Sequence, residues 1–202
     1  MQQRKFHLLN IVIVLTFFSL VYLQNYVKEN PKLVKQLVVA TPSPTPKVLA
    51  VTDNKLWQVD KVIDGDTLDV SFEDYKERVR LIGVDTPETK DPRKPVQCFG
   101  KEAAAKTAEL LKNRGVQLVV DPTQGNRDIY KRLLRYVYRD DGLFINQTLI
   151  ADGFAFEYTY KNKKYKFQED FIEAQRLARE QERGLWGAGV CPSDPRVAHP
   201  TP

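Results

Sequence analysis

Between Leu56 and Trp186 the apolar residues change period several times, and each change marks an element. Leu56, Val59, Val62 and Ile63 form a β-rich run that ends at Asp64-Gly65, a turn dipeptide. Thr67, Leu68, Val70 and Phe72 resume it, which predicts a hairpin. A third run, Val79 to Val84, stops at Asp85-Thr86-Pro87, because proline cannot donate to a ladder and holds the preceding residue in extended backbone. Gly100 to Asn113 is rich in helix formers, including Ala103, Ala104, Ala105, Ala108, Leu110 and Leu111, with Gly115 as the expected stop. Val116 to Val120 and Leu133 to Tyr138 then read as strands, and Phe144 to Asp152 as a short helix capped by Gly153. Phe167, Phe171, Ala174 and Ala178 recur with helical spacing and give one apolar face of a last helix, which Gly184 is expected to terminate. Strands, a helix, more strands and then helices imply an α+β domain, a small mixed barrel or curled sheet with helices packed on it. OB-type barrels are the leading candidate.

The two ends follow different rules. Residues 1–30 carry Arg4 and Lys5 and then run from Leu8 to Leu23 without a charge. This is an export signal. The run is long for a signal-peptide core, approaches spanning length if extended to Tyr26 and Val27, and shows no small-x-small cleavage site between Leu20 and Lys28. An uncleaved N-terminal anchor is therefore favoured over a cleaved signal. Basic residues ahead of the apolar run place the remainder outside the cytoplasm, tethered to the membrane, or secreted if the segment is cleaved. Residues 31–54 contain Ala40-Thr41-Pro42-Ser43-Pro44-Thr45-Pro46, an extended polyproline-type spacer, and the proline-rich tail at 192–202 is expected to be disordered. Residues 55–191 remain as one folded unit, without internal repeats and expected to be monomeric.

Composition narrows the chemistry. The only histidines, His7 and His199, lie near the termini, and the only cysteines, Cys98 and Cys191, are far apart. A zinc site or a histidine-based nucleophilic mechanism within the fold is thereby excluded. In an oxidising compartment the cysteines can pair, closing a loop long enough to contribute about 4 kcal/mol; otherwise they are two small unpaired hydrophobes. The net charge of +5 fits a polyanionic partner, and Lys161, Lys163, Lys164 and Lys166 concentrate it.

Three loop-proximal segments gather the reactive residue types: Asp64-Gly65-Asp66-Thr67, Arg80 through Asp85-Thr86-Pro87-Glu88, and Asp128 through Tyr130-Lys131-Arg132. Singly each is an ordinary turn or loop. Together they supply what phosphodiester hydrolysis requires. Asp66 and Asp85 offer hard oxygens to Ca²⁺ or Mg²⁺, with a backbone carbonyl from Thr86 as a further ligand. Glu88 is placed to orient or deprotonate a water, and Arg80 and Arg132 are suited to bidentate grips on phosphate oxygens. The competing account is that these charges simply pair with one another as surface salt bridges.

The blocks Val62-Ile63-Asp64-Gly65-Asp66-Thr67, Arg80-Leu81-Ile82-Gly83-Val84-Asp85-Thr86-Pro87-Glu88 and Asp128-Ile129-Tyr130-Lys131-Arg132 resemble, in order, the signature segments of the staphylococcal nuclease (thermonuclease) family. The resemblance spans nearly all of Leu56 to Trp186. It implies a five-stranded OB-fold barrel with three packed helices, and a Ca²⁺-dependent nuclease acting on single-stranded or breathing double-stranded DNA and on RNA to leave 3′-phosphates. By position it implies calcium ligation by Asp66, Asp85 and the Thr86 carbonyl, phosphate contacts from Arg80 and Arg132, and a general base in Glu88. Tyr130, Tyr158 and Tyr160 resemble the tyrosines around the nucleotide pocket, the last two after a one-residue gap. Two positions depart from the pattern. Ile129 stands where a basic residue is common, which removes a phosphate contact, and Lys131 replaces the usual glycine, adding a charge or altering the turn.

The interleaved tyrosines and lysines from Tyr158 to Lys166, Lys161 among them, suit stacking on bases while following a phosphate backbone, or else form a solvated loop. Asn146-Gln147-Thr148 matches a glycosylation sequon, but it falls in the predicted short helix and is read as accidental. The alternative function is a membrane-tethered OB-fold module that binds nucleic acid without cutting it.

Overall fold

The computed structural model describes residues 55–89 and 97–191; the expected membrane segment at 1–30, the linker at 31–54 and the tail at 192–202 lie outside the described residues. Among the described residues no helix is long and apolar enough to cross a membrane.

Five strands close into a barrel: β1 (Trp57–Asp64), β2 (Thr67–Phe72), β3 (Tyr75–Leu81), β5 (Gly115–Val119) and β6 (Leu133–Arg139), in the order β1-β2-β3-β6-β5. β1 closes the ring against β5, with Trp57 opposite Val116. β3 and β6 run parallel, Arg80 opposite Leu134, and the remaining barrel neighbours are antiparallel. Alternation places Leu68, Val70, Val79 and Leu81 inside, each essentially inaccessible, and each such burial contributes about 1.5 to 3 kcal/mol. Two irregularities in β1, between Val59 and Lys61 and between Val62 and Asp64, bend the strand as a small barrel demands.

Three helices pack on the barrel: α1 (Gly100–Leu111), α2 (Ile145–Ala151) and α3 (Gln168–Glu180). α3 buries Phe171, Ala174 and Ala178, and Glu169 and Asp170 lie in its first turn, where the helix dipole favours negative charge. Phe144, Phe167 and Phe171 surround the fully buried Tyr136, whose hydroxyl donates to Asp121 at 2.6 Å. Asp121 also accepts from the backbone N–H of Lys166 at 2.9 Å and from Thr123, so the lysine loop is fastened to the barrel while its side chains stay exposed. Burial alone would raise the Asp121 pKa; these donors outweigh it and hold it below the usual carboxylate value. Asn146 plays a similar part beneath α2. Fully buried, it accepts from Val137 N–H at 2.9 Å and donates to the Ile82 carbonyl at 2.9 Å, so its amide is not available as a glycan acceptor.

Several expected boundaries move. The run Val79 to Val84 is not one strand. β3 ends at Leu81, the chain turns at Ile82-Gly83, and Val84–Asp85 forms a separate strand, β4, paired with β7 (Phe156–Glu157). Gly83 has φ +74°, and a Cβ there would lie 2.6 Å from the Tyr165 ring and 2.8 Å from Phe171. Local hydrophobicity continues through the turn, but the barrel ends there because only glycine tolerates this conformation against those rings. α1 ends at Leu111 rather than Asn113, Gly115 is the first residue of β5 rather than a terminator, and α3 stops at Glu180, before Gly184 opens a 3₁₀ turn (Gly184–Trp186). Gly184 and Gly153, both at positive φ, instead let two backbone segments touch: a Cβ on Gly153 would sit 2.2 Å from the Arg183 carbonyl.

Gly83→Ala combines left-handed strain with a clash and is expected to lower stability by about 2 to 4 kcal/mol. Urea unfolding followed by tryptophan fluorescence checks this; a loss under about 0.5 kcal/mol means the turn does not separate β3 from β4 as described.

Candidate active site

The β1–β2 turn places the first carboxylates. Gly65 lies so close to Thr86 that a Cβ would meet its Cγ2 at 2.6 Å, and the Gly65 carbonyl accepts from the Thr107 hydroxyl of α1 at 2.8 Å. Asp66 follows, only 6% exposed. Its Oδ1 accepts from the Thr67 hydroxyl at 2.9 Å, and its Oδ2 from the Thr86 N–H at 3.0 Å and the Thr86 hydroxyl at 3.2 Å.

Strand register supplies the cation. Thr67 is opposite Arg80 across the β2–β3 ladder, so the Arg80 guanidinium reaches back to Asp66 Oδ2 at 3.2 Å and forward to Asp85 Oδ1 at 3.2 Å. It also donates to the carbonyls of Leu81 and Val84, which fixes its plane across the Ile82-Gly83 turn. Asp64 stands beside this pair, receiving a 3.3 Å bond from the Asp66 N–H. Burial first, and the Asp66 charge second, push its pKa up to about 7, with Arg80 opposing weakly.

Arg132 arrives from a separate turn before β6. Asp128 organises it: Oδ1 accepts from the N–H groups of Tyr130 and Arg132, both at 2.9 Å, and Oδ2 from Arg132 Nε at 2.6 Å. The other end of the guanidinium, Nη1, donates to the Thr67 hydroxyl at 3.3 Å. Thr67 thus accepts from Arg132 and donates to Asp66, joining the two halves of the cluster. Lys131, at φ +65°, occupies the left-handed position of this turn. The exposed Tyr130 ring lies 5.3 Å from the Arg132 guanidinium, and Tyr130, Lys131 and Arg132 line one side of a 590 Å³ groove along the outer face of β2 and β3.

Glu88 lies three residues beyond Asp85 and is held by its backbone, its N–H donating to Gln97 Oε1 at 2.6 Å. The exposed Tyr158 and Tyr160 form their own pair, ring centroids 6.4 Å apart, with Lys161 Nζ 5.3 Å from the Tyr160 ring. Tyr158 N–H donates to the Gly83 carbonyl at 3.1 Å, so this pair hangs from the same turn that divides β3 from β4. Cys98 and Cys191 form a disulfide with Cα atoms 5.9 Å apart. Asp66, Arg80, Asp85, Thr86 and Arg132 are therefore one connected network, while the tyrosines occupy two separate positions. Sequence reasoning gave no role to Asp64, Thr67, Asp128 or Gln97. The first three lay inside the quoted motifs, but nothing local distinguishes a turn residue from a residue that orients an arginine.

Among the described residues no three His, Cys, Asp or Glu side chains converge closely enough to hold a metal ion by themselves. The charge and donor type nevertheless fit a hard divalent cation. Asp66 and Asp85 share the single guanidinium of Arg80, leaving a negative surplus, Asp64 stands beside them, and every nearby ligating atom is an oxygen. Calcium commonly completes such a shell with backbone carbonyls and water.

The family model for staphylococcal nuclease homologues matches residues 78–188. The chain is 38% identical over 138 residues to the thermonuclease of Staphylococcus hyicus, covering 68% of this chain and 79% of that protein. It is 41% identical over 131 residues to the Staphylococcus intermedius thermonuclease, covering 64% and 75% respectively. Endonuclease YncB of Bacillus subtilis (strain 168) is 37% identical over 129 residues, 63% of this chain and 60% of that protein. A closed five-stranded barrel with three helices, a network of two arginines and two aspartates beside its β1–β2 turn, a family-model match over residues 78–188 and 38% identity to a thermonuclease lead to one assignment: this chain belongs to the staphylococcal nuclease family.

Proposed function

We propose that the protein is a calcium-dependent nuclease that hydrolyses phosphodiester bonds of DNA and RNA to leave 3′-phosphates, working outside the cytoplasm on an N-terminal membrane anchor. The observation that carries this reading is the convergence of Arg80, from β3, and Arg132, from the turn before β6, on the Asp66-Thr67 pair. Nuclease names among the relatives, the thermonucleases and endonuclease YncB, support the same reaction class.

The chain's own residues divide the work. Arg80 and Arg132 offer planar N–H pairs to the non-bridging oxygens of the scissile phosphate, where charge accumulates as water attacks. Asp128 keeps Arg132 oriented, and Asp66 and Asp85 do the same for Arg80. Glu88 accepts the proton of the attacking water, and a 3′-phosphate product requires that the bond from phosphorus to the 5′ oxygen break. Asp66, Asp85, the Thr86 carbonyl and Asp64 are the residues to hold Ca²⁺, which when bound supplies positive charge to the phosphate and lowers the pKa of a bound water. Tyr130, Tyr158 and Tyr160 offer stacking faces, and Lys161 an ammonium for the phosphate chain.

Incubation of the protein with single-stranded DNA and RNA, in calcium and in chelator, tests the reading. Salt-sensitive binding without any calcium-dependent cleavage would assign the non-catalytic alternative instead. Glu88→Gln is expected to reduce turnover by about 10² to 10⁴ in single-turnover assays, and wild-type turnover in that variant removes Glu88 as the base. Lys131→Gly should relieve the left-handed strain, raising unfolding free energy by about 0.5 to 1 kcal/mol after the glycine entropy cost. If Lys131 meets a phosphate, the same variant lowers the slope of log affinity for single-stranded DNA against log salt by about 0.7; an unchanged slope removes it from the interface.

A further inference from the structure

We propose that Gln97 is a positioning residue for Glu88 and that the Cys98–Cys191 bridge keeps Gln97 in place, so that turnover depends on the bridge being oxidised. This rests on the reading of Glu88 as the base.

Glu88 follows Pro87 at the end of a polar segment, and a carboxylate on such a segment is positioned only as well as its backbone. Here the backbone is clasped on both polar groups by one partner. Glu88 N–H donates to Gln97 Oε1 at 2.6 Å, and Gln97 N–H donates to the Glu88 carbonyl at 2.9 Å. The carboxylate is itself fixed on one side, since Thr89 N–H donates to Glu88 Oε1 at 2.9 Å.

The clasp belongs to a tight corner. Gly100 N–H donates to the Gln97 carbonyl at 3.1 Å, and a Cβ at Gly100 would lie 2.6 Å from Thr89 Cγ2 and 2.9 Å from the Pro87 carbonyl. The start of α1 is therefore pressed directly on Pro87 and Thr89. Phe99, between them, has φ +67°, and α1 begins there without a side-chain cap. What holds this uncapped, left-handed corner is the packing of Phe99 on Phe154, ring centroids 5.3 Å apart, and the covalent bridge from Cys98 to Cys191. Cys191 in turn follows the 3₁₀ turn at Gly184–Trp186, where Trp186 lies 4.1 Å from the Arg179 guanidinium of α3 and against Phe156. The bridge thus links the residue next to the Glu88 clasp to the packed end of the last helix. Reduction adds two electrons and two protons from an external dithiol, opening the S–S bond to two thiols and cutting this link. Misplacement of a base by about 1 Å is enough to cost on the order of 10²-fold in rate.

The test uses the full-length chain and steady-state cleavage of single-stranded DNA, with kcat and KM separated and far-UV circular dichroism recorded for every sample. Gln97→Ala is expected to lower kcat by about tenfold or more with KM within about twofold, whereas Gln97→Glu, which keeps an acceptor for Glu88 N–H, restores kcat to within about threefold. In a Glu88→Gln background Gln97→Ala should add nothing, because it acts through Glu88. Treatment with dithiothreitol should lower kcat by about threefold or more with unchanged dichroism, and Cys98→Ser/Cys191→Ser should reproduce that value and ignore the thiol. Wild-type kcat in Gln97→Ala, or an equal further loss in the Glu88→Gln background, overturns the positioning role. Full turnover by the reduced protein overturns the role of the bridge. Wild-type turnover in Glu88→Gln alone is a different result: it rejects Glu88 as the base.

Discussion

The site depends on the placement of one buried carboxylate. Asp66 is almost inaccessible, and burial of a carboxylate is costly unless hydrogen-bond donors and a cation offset it. Four donors surround it: the hydroxyl of Thr67, the N–H and hydroxyl of Thr86, and the guanidinium of Arg80. Those donors come from three residues, each set by a different constraint of the fold. Thr67 begins β2, Arg80 faces it across the ladder, and Thr86 is brought against Gly65 by the turn at Gly83. The barrel closes around these bonds, and a change of strand register by one residue would turn Arg80 to the opposite face and leave Asp66 without its cation.

The same interaction explains why Arg80 and Arg132 have different settings. Arg80 is sandwiched between Asp66 and Asp85, tied to two backbone carbonyls, and mostly covered. Arg132 is held on one edge by Asp128 and keeps its other edge toward Thr67. One arginine is embedded in the negative cluster and the other approaches it from outside. Under the proposed function, a phosphate would enter between a fixed, cation-neutralised floor and a more accessible wall. The exposed aromatic pair at Tyr158 and Tyr160 hangs from the Gly83 turn, so the segment that ends β3 also positions these two rings.

Polar residues buried beneath the helices serve a different purpose. Asp121 binds the lysine loop to Tyr136, and Asn146 ties α2 to both the Ile82 turn and β6. Each satisfies backbone groups that a barrel cannot satisfy for itself where strands end and loops cross, and an unsatisfied group at those depths would cost about 1 to 3 kcal/mol. The lysine loop is consequently anchored at its base while its lysine side chains remain in solvent.

The apolar periodicity by itself determined the strands β1, β2, β5 and β6, the three helices and an α+β architecture, because alternation and helical spacing record which side of an element meets the core. Motif order also identified Asp66, Arg80, Asp85, Thr86 and Arg132 as candidates, since residue type limits the chemistry that each can perform. The division of Val79 to Val84 into two strands was decided only in three dimensions, by Tyr165 and Phe171 crowding a backbone that is hydrophobic on either side of Gly83. So were the clasp of Gln97 on Glu88, the service of Asp128 to Arg132, and the relay through Thr67. These rest on hydrogen bonds directed across the fold, or across a turn, and neither hydrophobicity nor spacing along the chain carries a record of direction.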